Sequence, residues 1–101
     1  MPNRLDKMLE KSRASGKGVL APFLTIGYPD VETSVSIAAS LMRAGSDLLE
    51  LGVPYSDPLA EGPTIQKTSF RALQNGVDVS VCIKSVHRLR KKGFESPIIL
   101  M

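Results

Sequence analysis

The sequence predicts an α/β chain: the N-terminal three strand–helix units of a (βα)8 TIM barrel, preceded by a short N-terminal helix. Three observations predict it. Short apolar runs of strand length alternate with segments of helical periodicity, the order that builds a parallel sheet with right-handed crossovers. The runs are apolar nearly throughout, as in strands covered on both faces. A carboxylate, Glu50, interrupts the second run near its C-terminal end, where barrels of this kind carry their active sites.

Each element has its own signal. Asn3 to Ser15 reads as a helix capped by Asn3, with Leu5, Met8 and Leu9 on one face. Gly16 and Gly18 punctuate it, and Val19 to Ile26 follows as an apolar strand. Gly27-Tyr28-Pro29-Asp30 is a turn, and Asp30 caps a second helix whose Val35, Ala38, Ala39 and Met42 fall at i, i+3, i+4 and i+7. Gly45 ends that helix in the usual way. Asp47 to Leu51 forms the second strand, and Gly52 to Gly62 is a polar loop containing prolines. Pro63 suits the first turn of a third helix that runs to Gln74 and stops at Gly76. Asp78 caps a fourth helix, with Val79, Cys82, Ile83 and Val86 on one face and Gly93 past its end. Pro97 to Met101 is a third strand.

The 101 residues, 43% hydrophobic and 23% charged, have an ordinary globular balance and read as one domain or a piece of one, with no internal boundary between residues 1 and 101. An eight-strand barrel needs about 250 residues. The last strand, PIILM, has no helix after it to cover it. The expectation is therefore a portion of a larger barrel; the alternative is a small three-strand α/β domain that stands alone. The net charge of +3 is too mild to argue for nucleic acid, and the cluster Arg88, Arg90, Lys91 and Lys92 suits the C-terminal end of a helix dipole. The single cysteine, Cys82, permits no internal disulfide, which fits a reducing cytoplasm. No apolar run is long enough to span a membrane, and the N-terminus lacks the apolar core of a signal peptide.

The chemistry centres on Glu50. Strand alternation puts it on the face of Leu48; if that face lines a barrel, the carboxylate points into an apolar mouth, the setting for acid–base work. A carboxylate turned outward to solvent is the plainer alternative. Asp57 and Glu61 lie in the following loop, where solvation is the default, and a loop of this length at a strand's C-terminal end can act as a lid or a partner contact. Tyr28 and Tyr55 occupy loops at the same end. Thr64 falls in the first turn of the third helix. His87 reads as a surface residue and Cys82 as core. There is no metal-ligand cluster and no glycine-rich phosphate loop of the GxxxxGKS type.

LAPFLTIGYPD (Leu20 to Asp30), DLLELGVPYSDPLAEGPTIQ (Asp47 to Gln66), RAL (Arg71 to Leu73) and PIILM (Pro97 to Met101) together resemble the tryptophan synthase alpha subunit. The resemblance runs from about Asn3 to Met101 and covers the first three strands of that family's barrel. It implies retro-aldol cleavage of indole-3-glycerol phosphate to indole and glyceraldehyde 3-phosphate. It implies no cofactor in this chain, pyridoxal phosphate in a beta-chain partner, and an alpha2beta2 assembly in the cytoplasm. Glu50 matches the family's principal acid–base glutamate, and Glu61 matches the carboxylate that faces the indole N–H. The family usually has aspartate there, in ADGP; this chain has AEGP, which extends the carboxylate by one methylene. Thr64 matches a threonine that orders the catalytic loop. Phe23, Ile65 and Leu100 match apolar positions around the indole ring, and Asp57 and Pro58 match a segment used for closure and beta-chain contact. The family's phosphate-binding loops come from the last strands of the barrel. Two other readings stay open: an inert barrel fragment or beta-chain-binding module, and a different phosphate-sugar barrel enzyme.

Overall fold

In a computed structural model, residues 3–55 and 62–101 are described. Their order is α1 (Arg4–Ser15), β1 (Phe23–Thr25), α2 (Val31–Arg43), β2 (Leu49–Gly52), α3 (Gly62–Gln74), α4 (Val79–Lys91) and β3 (Ile98–Leu100). This is the predicted sequence of elements. The strands are parallel in the order β1-β2-β3, so the catalytic-end candidate Glu50 sits on the central strand.

The helix starts follow from capping. Asn3 accepts from the Asp6 N–H at 2.9 Å while the Asp6 carboxylate accepts from the Asn3 N–H at 3.3 Å, a reciprocal box. Asp30 accepts from the Thr33 N–H at 2.7 Å and Asp78 from the Val81 N–H at 2.9 Å. The Thr33 N–H and then the Thr33 hydroxyl hold the Asp30 carboxyl below its ordinary pKa. Gly45, Gly76 and Gly93 follow the ends of their helices at positive φ.

The strands are shorter than predicted. Residues 19–22 lie outside β1, although the Leu20 carbonyl accepts from the Asp47 N–H at 3.0 Å, and the Leu20 N–H donates to the Asp47 carboxylate at 2.8 Å. Ile26, Leu49 and Leu51 point to the helix side, where they join Val35, Ala38, Ala39 and Met42 of α2 and Cys82 and Leu89 of α4 in one core. The α2 face is as the periodicity predicts. The α4 face is not: Cys82, Ser85 and Leu89 are buried, while Val79 and Ile83 are each 56% exposed. The helix is rotated toward the sheet around Cys82 and Leu89, and apolar character alone could not distinguish the two overlapping stripes. Helix α1 buries no residue, and Leu9 on its apolar face is exposed.

Polar ties join the helices. Both guanidinium nitrogens of Arg88 on α4 donate to the Glu32 carboxylate on α2, at 2.9 and 2.7 Å. The pair is exposed and contributes little. Arg90 donates to the carbonyls of Phe94 and Ser96, at 2.9 and 2.7 Å, and so holds the α4–β3 connection. Two members of the basic cluster therefore have structural partners. Among the described residues, no helix is long and apolar enough to cross a membrane, and no group of three or more His, Cys, Asp or Glu side chains could hold a metal ion.

Cys82 is fully buried, and burial, then the charge of Asp78, pushes its thiol pKa up. Since the thiolate is the reactive form, a thiol reagent at neutral pH is expected to label native chain only as fast as it opens. Labelling should become rapid in denaturant. Rapid labelling of native protein would show that α4 leaves the sheet far more often than its packing implies.

Candidate active site

Parallel register assembles the site. Phe23 pairs with Glu50, and Glu50 with Ile99; one step toward the catalytic end, Thr25 pairs with Gly52. Side chains alternate along a strand, so Phe23, Thr25, Glu50, Gly52 and Ile99 share the face away from α2 and α4. The Glu50 N–H donates to the Pro22 carbonyl at 2.9 Å, which holds its backbone in the ladder. Its half-buried side chain makes no hydrogen bond or ion pair with another described residue. Glu50 is the sole ionisable side chain in the three strands. The face around it is apolar, with Phe23 on one side and Ile99 on the other.

Gly52 permits a close approach here. A Cβ at that position would lie 2.6 Å from Cζ of Phe23, so the ring lies directly over the glycine. The aromatic ring is thereby drawn toward the end of β2, next to the carboxylate.

Register separates one predicted residue from the rest. Leu100 pairs with Leu51, so it belongs to the helix-facing set with Leu49 and Ile98, on the opposite face from Glu50. The residue after it is the one in the Glu50 row. Met101 continues the ladder: its N–H donates to Leu51 O at 3.0 Å, and its carbonyl accepts from Val53 N–H at 2.7 Å. Met101 is 60% exposed on that face, beyond Ile99.

Helix α3 brings the other predicted residues over β1. Thr64, exposed, and Ile65, half-buried, occupy its first turns. The Thr68 hydroxyl donates to the Ile65 carbonyl at 3.0 Å, and Thr25 Oγ1 lies 2.8 Å from Thr68 Oγ1. With the Thr68 proton committed to Ile65, the Thr25 hydroxyl donates to Thr68. Thr25 and Thr68 carried no sequence signal, because each is an ordinary threonine until the fold brings them together. Asp57, Pro58 and Glu61 lie outside the described residues.

Two cavities flank this arrangement. One of about 360 Å³, lined by Tyr28, Pro29, Lys67, Phe70, Arg71 and Gln74, lies at the catalytic end beside the β1–α2 turn. A larger one of about 1090 Å³ opens at the opposite end of the sheet, under α1, with Ser46, Asp47 and Pro97 in its wall. Size does not decide between them: in barrels of this kind the chemistry belongs to the C-terminal ends of the strands and the other end to stability.

The family model for the tryptophan synthase alpha chain matches residues 9–101. The chain is 44% identical over 98 residues to the tryptophan synthase alpha chain of Xanthomonas axonopodis pv. citri, covering 97% of this chain and 37% of that protein. It is 43% identical over 99 residues to that of Chloroflexus aggregans, again covering 37% of the relative. Among solved structures, it matches the tryptophan synthase subunit alpha of Legionella pneumophila with a TM-score of 0.96 and 44% identity, over 100% of this chain and 38% of that one. A tryptophan synthase structure from M. tuberculosis in an aminoacrylate-bound form matches with a TM-score of 0.89 and 36% identity, over 99% of this chain and 40% of that one. The chain thus spans a little over a third of these relatives' length. It belongs to the tryptophan synthase alpha chain family, and corresponds to the N-terminal part of that family's TIM barrel.

Proposed function

We propose that this chain carries the acid–base centre of an indole-3-glycerol phosphate lyase, within a barrel completed by further strands and working with a beta chain. The observation that supports it most is the placement of Glu50: one carboxylate on the central strand, at the catalytic end, between the apolar side chains of Phe23 and Ile99. Retro-aldol cleavage needs a proton delivered to indole C3 and a proton removed from the side-chain hydroxyl. One carboxyl group that alternates between acid and base serves both transfers.

The Phe23 ring, whose tip reaches over Gly52, offers an aromatic surface for an indole ring laid beside Glu50. Ile99 and Met101, in the same row, offer apolar contact that Leu100 on the other face does not. Thr64 and Ile65 approach from α3. Glu61 is assigned to the indole N–H, where a carboxylate stabilises the positive character that develops in the ring tautomer. Asp57 and Pro58 are assigned to beta-chain contact. The chain itself uses no cofactor under this reading; pyridoxal phosphate belongs to the beta chain, and the location is the cytoplasm.

The test joins residues 1–101 to the rest of the barrel of the Xanthomonas axonopodis relative and assays indole release from indole-3-glycerol phosphate. The expected result is turnover by the chimera and little by the isolated chain, which lacks the phosphate-binding strands of the family. A folded chimera that releases no indole, or that turns over a different sugar phosphate instead, would overturn the reading. Equal rates from the isolated chain would show that the missing strands are dispensable.

The same chimera tests the unusual loop carboxylate. Glu61→Asp is expected to keep the rate or raise it, since it restores the shorter side chain usual in the family. Misplacements of about 1 Å are enough to change rates about a hundredfold. A loss of that size on Glu61→Asp would mean that the loop has adapted to glutamate.

A further inference from the structure

We propose that Asn75 is a positioning residue that, together with Thr68, pins helix α3 to β1 across the catalytic end of the sheet. Asn75 directly follows α3. Its side-chain amide donates to the Gly27 carbonyl at 3.0 Å and to the Pro29 carbonyl at 2.7 Å. An asparagine amide has two N–H donors, and both are used. The two carbonyls belong to the turn that leaves β1.

That turn is held on its other sides as well. The Gly27 N–H donates to Ser34 Oγ on α2 at 3.0 Å, and the Ser34 hydroxyl donates to the Val31 carbonyl at 2.8 Å. Gly27, at φ 97°, lies close against the last turn of α3 and the segment after it: a Cβ there would be 2.3 Å from Val77 Cγ2 and 3.0 Å from Ala72 Cβ. The carbonyls that receive Asn75 are therefore fixed points. The second tie, Thr25 to Thr68 at 2.8 Å, lies seven residues earlier on α3, about 10 Å along the axis at 1.5 Å per residue.

One tie would leave α3 free to swing. Two ties about 10 Å apart fix its direction, and both run to β1 or its turn rather than to β2. The orientation of Thr64 and Ile65 relative to Glu50 thus passes through the β1–β2 register. Loss of either tie leaves one polar tie beside the buried Ser69 and Ala72, with the error largest at the end farthest from the tie that remains. When the Thr68 tie is lost, the pivot is Asn75 and the far end is the first turn beside the site; when the Asn75 tie is lost, the pivot is Thr68 and either end of α3 lies about 9 Å from it. The consequence for catalysis rests on the lyase reading; the tie itself does not.

The experiment is residue-resolved amide hydrogen exchange on the 101-residue chain, comparing the parent with Asn75→Asp, Asn75→Ala and Thr68→Val. Asn75→Asp keeps the shape but sets a carboxylate against two carbonyl oxygens. Thr68→Val keeps the shape and removes the hydroxyl, so it serves where a substitution at Asn75 prevents folding. Exchange at Gln66 to Arg71 in α3 and at Gly27 is expected to rise about tenfold or more, since each variant removes two hydrogen bonds and one net hydrogen bond changes a local opening about tenfold. Exchange at Ala38 to Met42 in α2 and Ser85 to Leu89 in α4 is expected to stay unchanged. A uniform rise across all helices would show a general loss of stability and overturn the positioning role; no rise in α3 would overturn it equally. Failure of the lyase reading shows in the indole assay and leaves these exchange patterns in place.

Discussion

Glu50→Gln is expected to lower indole release by the completed barrel about a thousandfold or more, with the fold intact. Removing one general acid–base group typically costs between about 10² and 10⁴. Under the proposed mechanism one carboxyl group serves both proton transfers, which places the loss in the upper part of that range, about 4 kcal/mol of transition-state stabilisation. Glutamine has the same shape and cannot cycle a proton at neutral pH. The half-buried Glu50 side chain has no hydrogen-bond or ion-pair partner among the described residues, so the exchange leaves no orphaned partner among them. Thermal unfolding should therefore be nearly unchanged while activity collapses. Glu50→Asp is a graded control: the carboxylate retreats by about 1 Å, for a loss of about a hundredfold. Normal indole release by the glutamine variant would remove Glu50 from the chemistry and the proposed mechanism with it.

The second large effect is on stability. Leu51→Ala is expected to cost about 3 kcal/mol, within the range of about 2–5 kcal/mol for deletion of a buried leucine side chain. Leu51 is 0% exposed, on the central strand, with Leu49 beside it in the shared core. A chain of this length has about 5–15 kcal/mol in all. The low end applies to the 101 residues by themselves, because among the described residues the sheet has three strands and α1 buries nothing. A loss of about 3 kcal/mol would lower the unfolding temperature by roughly 15 °C. Its register partner supplies the comparison. Leu100 pairs with Leu51 across the sheet but is 39% exposed, so Leu100→Ala is expected to cost about 1 kcal/mol or less. Circular dichroism melts of the two variants check both values. Equal losses would mean that β3 is as deeply packed as β2, contrary to the burial pattern.

The contrast between these two leucines also shows what can be read locally. Glu50 stands out in the sequence because a carboxylate within an apolar strand is rare enough to need a reason. Its place near the C-terminal end of the strand follows from the run of residues alone. Leu100 is different. Alternation separates Ile98 and Leu100 from Ile99 and Met101, but it does not say which pair shares a face with Glu50. Register does, and a shift of one residue exchanges the two sets. The same holds for α4, where two overlapping apolar stripes, Val79 with Ile83 and Cys82 with Leu89, compete, and only the position of the sheet selects the second.

The sequence by itself determined the order of elements, their caps and glycine stops, the α2 core face and the parallel α/β class, and it singled out Glu50 as the candidate for the chemistry. These depend on interactions within a few residues, or on periodicity within one element, and both are local properties of the chain. Tertiary structure decided the rest: the pairing of Phe23 and Ile99 with Glu50, the ring of Phe23 over Gly52, the place of Met101 rather than Leu100 in the row of Glu50, and the two ties of α3 to β1. Each of these joins residues far apart in sequence whose types are individually unremarkable. Thr25 and Thr68, or Asn75 and Gly27, gain meaning only at a hydrogen-bond distance, and that distance is set by how separate elements pack.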